Sequence, residues 1–317
     1  MTENEMPPIS VLTLNPAVDI SYEIEELHAD QKNYARVTRN DPGGNGVNVA
    51  RALERLGLSP RHFGFSAGKI GLLLKELLHE QLADGRWIEV EGETRLNATF
   101  IQASPPAQFE ITGVGPYIPP DAAESLRSQF LDHCYGGYGI LTGSMPPGIP
   151  YDFYSRMLDD LDKVGARSIL DTNGSHLRLA IEHCPFFIKP NQHEIEQFCG
   201  RRLHGLEDIA IEAKKIHESG VAYVCVSMGR DGALLACSEG TFFGYAPRVE
   251  CKSSVGAGDS MVGGMVTALI RGMGSKEMLA LGVACGSGTS LRVGTELFIP
   301  SDIDHLIDMV RVESILV

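Results

Sequence analysis

The sequence predicts an α/β fold: three layers, α/β/α, around a mainly parallel sheet, with a small separate β-sheet beside it. Three observations carry this reading. From about residue 120 onward, strand-like runs alternate with helical segments, the pattern of parallel strands covered on both faces. The early strands, in contrast, are half polar and do not suit a doubly covered sheet. Two consecutive apolar helices close the chain.

Taken in order, Ile9–Leu14 is a buried strand by its apolar run. Val18 to Glu25 alternates apolar with polar residues, as a half-exposed strand does. Gln31–Arg39 reads as a second, more polar extended segment. Gly43–Leu56 gives a glycine-rich turn into a helix, with Val47, Ala50, Leu53 and Leu56 at helical spacing. Thr94–Gln102 and Gln108–Thr112 are further strands. The alternating region supplies strands Tyr138–Thr142, Ser168–Asp171, Phe186–Lys189, Ala222–Ser227 and Gly232–Ala236. Between them lie helices Asp121–Cys134, Tyr151–Val164, Asn191–Cys199 and Glu207–Ser219. Ser254–Ile270 and Lys276–Leu291 are the closing helices. The early strands are expected to form a small sheet from two chain segments, about 15–40 and 93–112, that acts as a lid on a single domain spanning 1–317.

Composition narrows the function. The 317 residues carry 27 Lys and Arg against 41 Asp and Glu, a net charge of −14, which disfavours nucleic acid as a partner. A small anionic ligand needs only a local cluster of donors and stays open. The seven cysteines show no C-x-x-C and no paired spacing, so they read as reduced core or near-core thiols of a cytoplasmic protein. The histidines show no metal spacing and read as surface or boundary groups. The amino terminus, MTENEMPPIS, lacks the basic and apolar regions of a signal peptide. The longest apolar stretch, Met261 to Ile270, is about half a membrane span, so no membrane association is expected.

The strongest local signal is the run Ser253 to Ser260, SSVGAGDS. Small residues let backbone pass close to a ligand, and free N–H groups at a helix start favour an anion. An Asp in that first turn could accept a proton from a hydroxyl, or could be an ordinary acidic residue favoured by the helix dipole. Other glycine motifs fail. Gly64–Lys69 is one residue short of a P-loop and is followed by Ile70, and Gly44–Val49 lacks the third glycine of a dinucleotide fingerprint.

VGAGDS at 255–260 and PGGNGVNVARAL at 42–53 together resemble the two signatures of the ribokinase (PfkB) sugar kinase superfamily, in the right order and about two hundred residues apart. The similarity continues in NPAVD (15–19), TGSMPPG (142–148), KPNQHE (189–194) and SMGRDGA (227–233). The first two resemble the branch that includes 1-phosphofructokinase, tagatose-6-phosphate kinase and the minor 6-phosphofructokinase, and the last two resemble the family's N-x-x-E element and nucleotide-side turn. The resemblance implies a ribokinase-like fold and ATP with Mg2+ as cofactors; the superfamily also admits a monovalent cation near the final helices. It makes Asp259 the catalytic base and Gly256, Ala257 and Gly258 the anion hole. Asp19, Gly43, Gly44, Asn48 and Ser144 would face the sugar. Arg95 and Lys32 would meet the phosphate of a phosphorylated ketohexose, a role that suits the arginine fork. Lys189, Ser227, Gly229 and Gly232 would lie on the nucleotide side. Asn191 and Glu194 would organise magnesium through water.

The bland readings remain beside these. Asp19 alone is equally an exposed strand-end charge, and Asn191 with Glu194 is equally a helix capping box. Asn45 departs from the branch, many of whose members have Lys there, and leaves open fructose 1-phosphate, tagatose 6-phosphate or fructose 6-phosphate as substrate. A kinase of an unphosphorylated sugar or nucleoside, or a non-catalytic sugar-phosphate sensor, is the alternative. A lid with an apolar outer face would seal against a second copy, so a homodimer through the lid is expected.

Overall fold

A computed structural model describes residues 6–172 and 174–317. Residues 1–5, part of the segment whose composition speaks against a signal peptide, lie outside them. The chain opens with β1 (Ile9–Thr13), β2 (Ala17–Ile24), β3 (Val37–Gly43) and α1 (Asn45–Arg55). β4 (Arg61–Ala67), α2 (Gly68–Leu78), β5 (Asp84–Val90), β6 (Arg95–Gln102) and β7 (Ala107–Thr112) follow. The alternating region contains α3 (Pro120–Cys134), β8 (Tyr138–Thr142), α4 (Phe153–Lys163), β9 (Arg167–Asp171), α5 (Gly174–Ile181) and β10 (Phe187–Ile188). It continues through α6 (Gln192–Cys199), α7 (Gly205–Glu218), β11 (Tyr223–Ser227), β12 (Gly232–Cys237) and β13 (Gly240–Tyr245). α8 (Ala257–Ile270), α9 (Ser275–Ser290), α10 (Pro300–Leu306) and β14 (Arg311–Ile315) end it.

The large sheet runs β14-β13-β12-β11-β10-β9-β8-β1-β4-β5. Pairing is parallel from β11 to β5 and antiparallel at the β12–β14 edge. Successive residues of its central strands feed opposite cores, as strand alternation requires. Val11, Ile140 and Ile169 belong to one buried cluster, with residues of α1, α8 and α9. Leu12, Leu141 and Leu170 belong to the other, with residues of α3, α4 and α7.

The second sheet has the order β3-β2-β6-β7. Its strand β3 starts at Val37, later than the polar segment expected at Gln31–Arg39, because pairing with β2 runs from Glu23↔Val37 to Ala17↔Gly43. Residues 25–36 form an exposed connection. The region between residues 57 and 93, for which the sequence pattern offered no elements, contains β4, α2 and β5. The sheet is two-faced by register. Asp19, Asn97 and Thr112 align on one face, while Tyr22, Phe100 and Phe109 align on the other.

Two chemical expectations are corrected. His62 is fully buried on β4, not at a boundary; its Nε2 pairs with Thr13 Oγ1 at 2.8 Å, and burial pushes its pKa down to about 3. Cys184 and Cys251 are exposed, because both fall in connections between elements and not on a packed face. None of the seven cysteines is paired. Among the described residues no helix is long and apolar enough to cross a membrane.

Candidate active site

The ends of β1, β8, β9 and β10 deliver their following residues to one side of the large sheet, where open α/β sheets bind ligands. Gly143, Ser144, Asp171, Thr172 and Lys189 there line a polar cleft of about 410 Å³ with the start of α8 and the inner face of the small sheet.

Asp259 sits in the first turn of α8 and is 6% exposed. The turn before it requires Gly256, whose φ is 77°, a backbone shape that costs a side-chain-bearing residue strain. Asn45 Nδ2 donates to Asp259 Oδ1 at 3.0 Å, and Asn48 Nδ2 donates to Oδ2 at 2.9 Å. Burial, reinforced by nearby Asp171, pushes the Asp259 carboxyl up to about 7, against the pull of Asn48, Lys189 and Asn45. A carboxylate poised there can accept a proton near neutrality. The Ala257 amide donates to the Ser254 carbonyl over 3.3 Å. Those of Gly256 and Gly258 have no hydrogen-bond acceptor among the described residues. Lys189 is 5% exposed and pairs with Asp171 Oδ1 at 3.2 Å. Burial opposes its charge, but Asp171, Asp259 and Glu194 outweigh that and hold its pKa above the usual value.

The small sheet supplies the opposite wall. Asp19 is 8% exposed, and burial pushes its carboxyl up to about 6 although Asn97 Nδ2 donates to it at 2.7 Å. It is thus no free strand-end charge. Gly43 does not line the cleft; a Cβ there would strike the Asp19 carboxylate at 2.3 Å, so its bare backbone makes room for that group. Gly44, Asn48, Arg95 and Ser144 do line it. Arg95 and Ser144 also line an adjoining cleft with Asn15 and His176. Arg95 Nε donates to the Asn15 carbonyl at 3.0 Å. Lys32 is not brought to the cleft; it lies in the exposed connection between β2 and β3.

Lys189 and Gly258 are shared with a second, larger cavity of about 800 Å³, lined also by Asn191, Ser227, Gly229, Gly232 and Ala257. Its apolar side comes from Ala246, Pro247, Val249, Met261 and Val283. Asn191 and Glu194 form the capping box at the start of α6, with bonds of 2.9 and 2.8 Å, and both also face the first cleft. One Glu194 oxygen is committed to the Asn191 amide, and the other has no partner among the described residues. Magnesium keeps several waters and needs only one or two carboxylates, so Glu194 and Asp171 across the junction fit it.

Three residues here went unassigned by sequence reasoning. Asn45 carried no assigned role yet holds the Asp259 carboxylate. Asn97 lies two residues after Arg95, so strand alternation sets both on one face; its partner Asp19 is set by register. Asp171 ends a strand of the parallel sheet, a position that itself marks a ligand-facing residue.

A polar cleft and a more apolar cavity that share Lys189, Asn191 and Gly258, next to the buried Asp259 carboxylate, is the layout of an enzyme that passes a group between two bound molecules. The chain belongs to the pfkB family of carbohydrate kinases, whose family model matches residues 12–302. It is 34% identical over 293 residues to a 1-phosphofructokinase of Bacillus subtilis, covering 92% of this chain and 96% of that one. It is 33% identical over 295 residues to the ATP-dependent 6-phosphofructokinase isozyme 2 of Escherichia coli, with 92% and 95% covered. The crystal structure of E. coli phosphofructokinase-2 in complex with substrates and products superposes with a TM-score of 0.92 at 31% identity, covering 95% of this chain and 99% of that chain.

Proposed function

We propose that this protein transfers the γ-phosphoryl group of ATP to a hydroxyl of a ketohexose phosphate, with Asp259 as the base. The carrying observation is the junction itself: a buried carboxylate with a pKa of about 7, beside unpaired helix-start amides, where two cavities meet.

The sugar lies in the polar cleft, its hydroxyls on Asp19, Asn97 and Asn48. Asn45 is exposed and Asn48 is buried, so the reacting hydroxyl replaces the Asn45 amide on Asp259 while Asn48 stays. Asp259 takes the hydroxyl proton at Oδ1 as the oxygen attacks phosphorus in line. The amides of Gly256, Gly258 and, once its long bond to Ser254 yields, Ala257 hold the charge on the transferred group. Lys189 adds a fixed cation between the two cavities. ATP occupies the larger cavity along Ser227, Gly229 and Gly232; Asn191 and Glu194, with Asp171 across the junction, would hold magnesium through water, and it would neutralise charge on the phosphates. The small sheet closes over the sugar as a lid and keeps water out.

The substrate's own phosphate lies on Arg95 and Ser144, because these two line both the polar cleft and the adjoining one. The outer face of the lid exposes Leu96, Phe109 and Ile111, at 39%, 43% and 61%. A second copy of the chain covers it, giving a homodimer.

Coupled ATP-consumption assays over ketohexose monophosphates, free sugars and nucleosides test the reading. Turnover confined to phosphorylated ketohexoses, with KM raised about a hundredfold or more by Arg95→Ala, supports it. Turnover of free sugars unaffected by that substitution makes the protein a kinase of unphosphorylated acceptors. Binding of sugar phosphates without any ATP consumption makes it a sensor. Turnover in potassium against tetramethylammonium salts decides the monovalent cation.

A further inference from the structure

Helix α1 grips the Asp259 carboxylate, and a buried arginine of α1 ties the helix to Pro42, Gln81 and Thr295. Arg51 is 2% exposed and lines neither cavity. Its Nη1 donates to Asn48 Oδ1 at 3.1 Å and to the carbonyls of Pro42 and Thr295 at 3.3 and 3.2 Å. Its Nε donates to Gln81 Oε1 at 2.9 Å. Asn48 passes the arrangement on, donating from Nδ2 to Asp259 Oδ2 at 2.9 Å.

A carboxamide has one accepting end and one donating end. Turned half a rotation, Asn48 would set its carbonyl oxygen against the carboxylate and its NH2 against the guanidinium. Both encounters are repulsive, and burial leaves them little screened. The arginine therefore decides which end of Asn48 meets Asp259. The guanidinium holds Asn48 together with Pro42 and Thr295 through Nη1, and Gln81 through Nε, so its own position is fixed from several elements at once.

Resting on the reading of Asp259 as base, we infer that Arg51 is a positioning residue for the transfer reaction, acting through Asn48 to keep a donor on the inner oxygen of the base. The charged groups around both ends are few. Asp171 and Lys189 face Asp259, while Arg55, Asp41, Asp19 and Glu296 surround Arg51. Without its oriented donor the carboxylate is harder to ionise, so the pH at which the enzyme becomes active moves up. A merely structural role, tying β3 and the loop at Thr295 to α1, would lower the melting temperature and leave that pH in place.

The test is a double-mutant cycle of Arg51→Met and Asn48→Ala, with two readouts on the intact protein. One is the acid limb of kcat/KM for the phosphosugar at saturating ATP. The other needs no turnover: titration of the Asp259 carboxyl carbon by 13C NMR, assigned by its loss in Asp259→Asn. Each single variant is expected to move both midpoints up by about one pH unit, and the double variant no further than Asn48→Ala alone. Additive shifts, or unmoved midpoints in Arg51→Met, overturn the inference. If Arg51→Met does not fold, Arg51→Leu takes its place, which likewise removes the donor to Asn48; an unshifted midpoint there also overturns it. Near-normal turnover in Asp259→Asn would instead remove the base reading, which separates that failure from this one.

Discussion

Replacing Asp259 by Asn should cost turnover and raise stability together, and the two effects have one cause. The carboxyl is held at about 7 against an ordinary 3.8, chiefly by burial. A folded-state pKa above the unfolded one means the folded chain holds the proton more tightly. The stability this gives is fully present below pH 3.8 and is lost progressively as pH rises through about 7. At about 1.4 kcal/mol per pH unit, wild type loses about 3 kcal/mol relative to the Asn variant between pH 5 and pH 8. Asn keeps a single carbonyl acceptor for Asn45 and Asn48 and sets an NH2 against the other donor, which offsets about 1 kcal/mol of the gain. The pH dependence of the difference is therefore the cleaner quantity. Urea unfolding of both proteins at half-unit intervals from pH 5 to pH 8 reads it, alongside kcat at pH 8. Turnover should fall by about a hundredfold or more. A stability difference that stays flat across this range would show that Asp259 does not titrate there, and near-normal turnover would show that it is not the base.

Three further outcomes follow from the same geometry. Asn45→Lys places an ammonium against the Asp259 carboxylate and should move the acid limb of kcat/KM down by about one pH unit; the pH–rate profile checks it. Gly258→Ala puts a methyl group 3.3 Å from Lys189 Nζ, whose partner Asp171 limits its retreat, and should lower kcat/KM for ATP about tenfold while the fold survives thermal melting. Ile111→Asp sets a charge on the apolar outer face of the small sheet. Sedimentation at micromolar concentration should show a dimer for the unaltered chain and a monomer for this variant.

Much of this molecule could be read without coordinates. The apolar runs of β1, β8 and β9 and the helical spacing of α1 mark their own boundaries, because strand and helix periods are local properties of the chain. SSVGAGDS announces a tight turn into a helix, and the Asn191–Glu194 pair announces a capping box that the structure contains. The region of β4, α2 and β5 escaped notice. Its strands carry His62, which pairs with Thr13 through Nε2, and Arg61 and Asp84, which pair with each other across β4 and β5, so their pattern resembles neither a buried nor an alternating strand.

What local pattern could not supply is which distant residues meet. Asn45 and Asn48 reach Asp259 across 214 and 211 positions, and the pairing depends on how α1 packs beside α8. Asp19 meets Asn97 because β2 and β6 pair in one register; a slip of one residue would turn either side chain to the outer face. Lys32, whose charge suited a phosphate, stands exposed in a connection away from the cleft. Chemistry and local shape belong to the residue and its neighbours in sequence. Burial, the rise of two carboxyls toward neutrality and the meeting of two cavities arise only when elements far apart in the chain exclude water together.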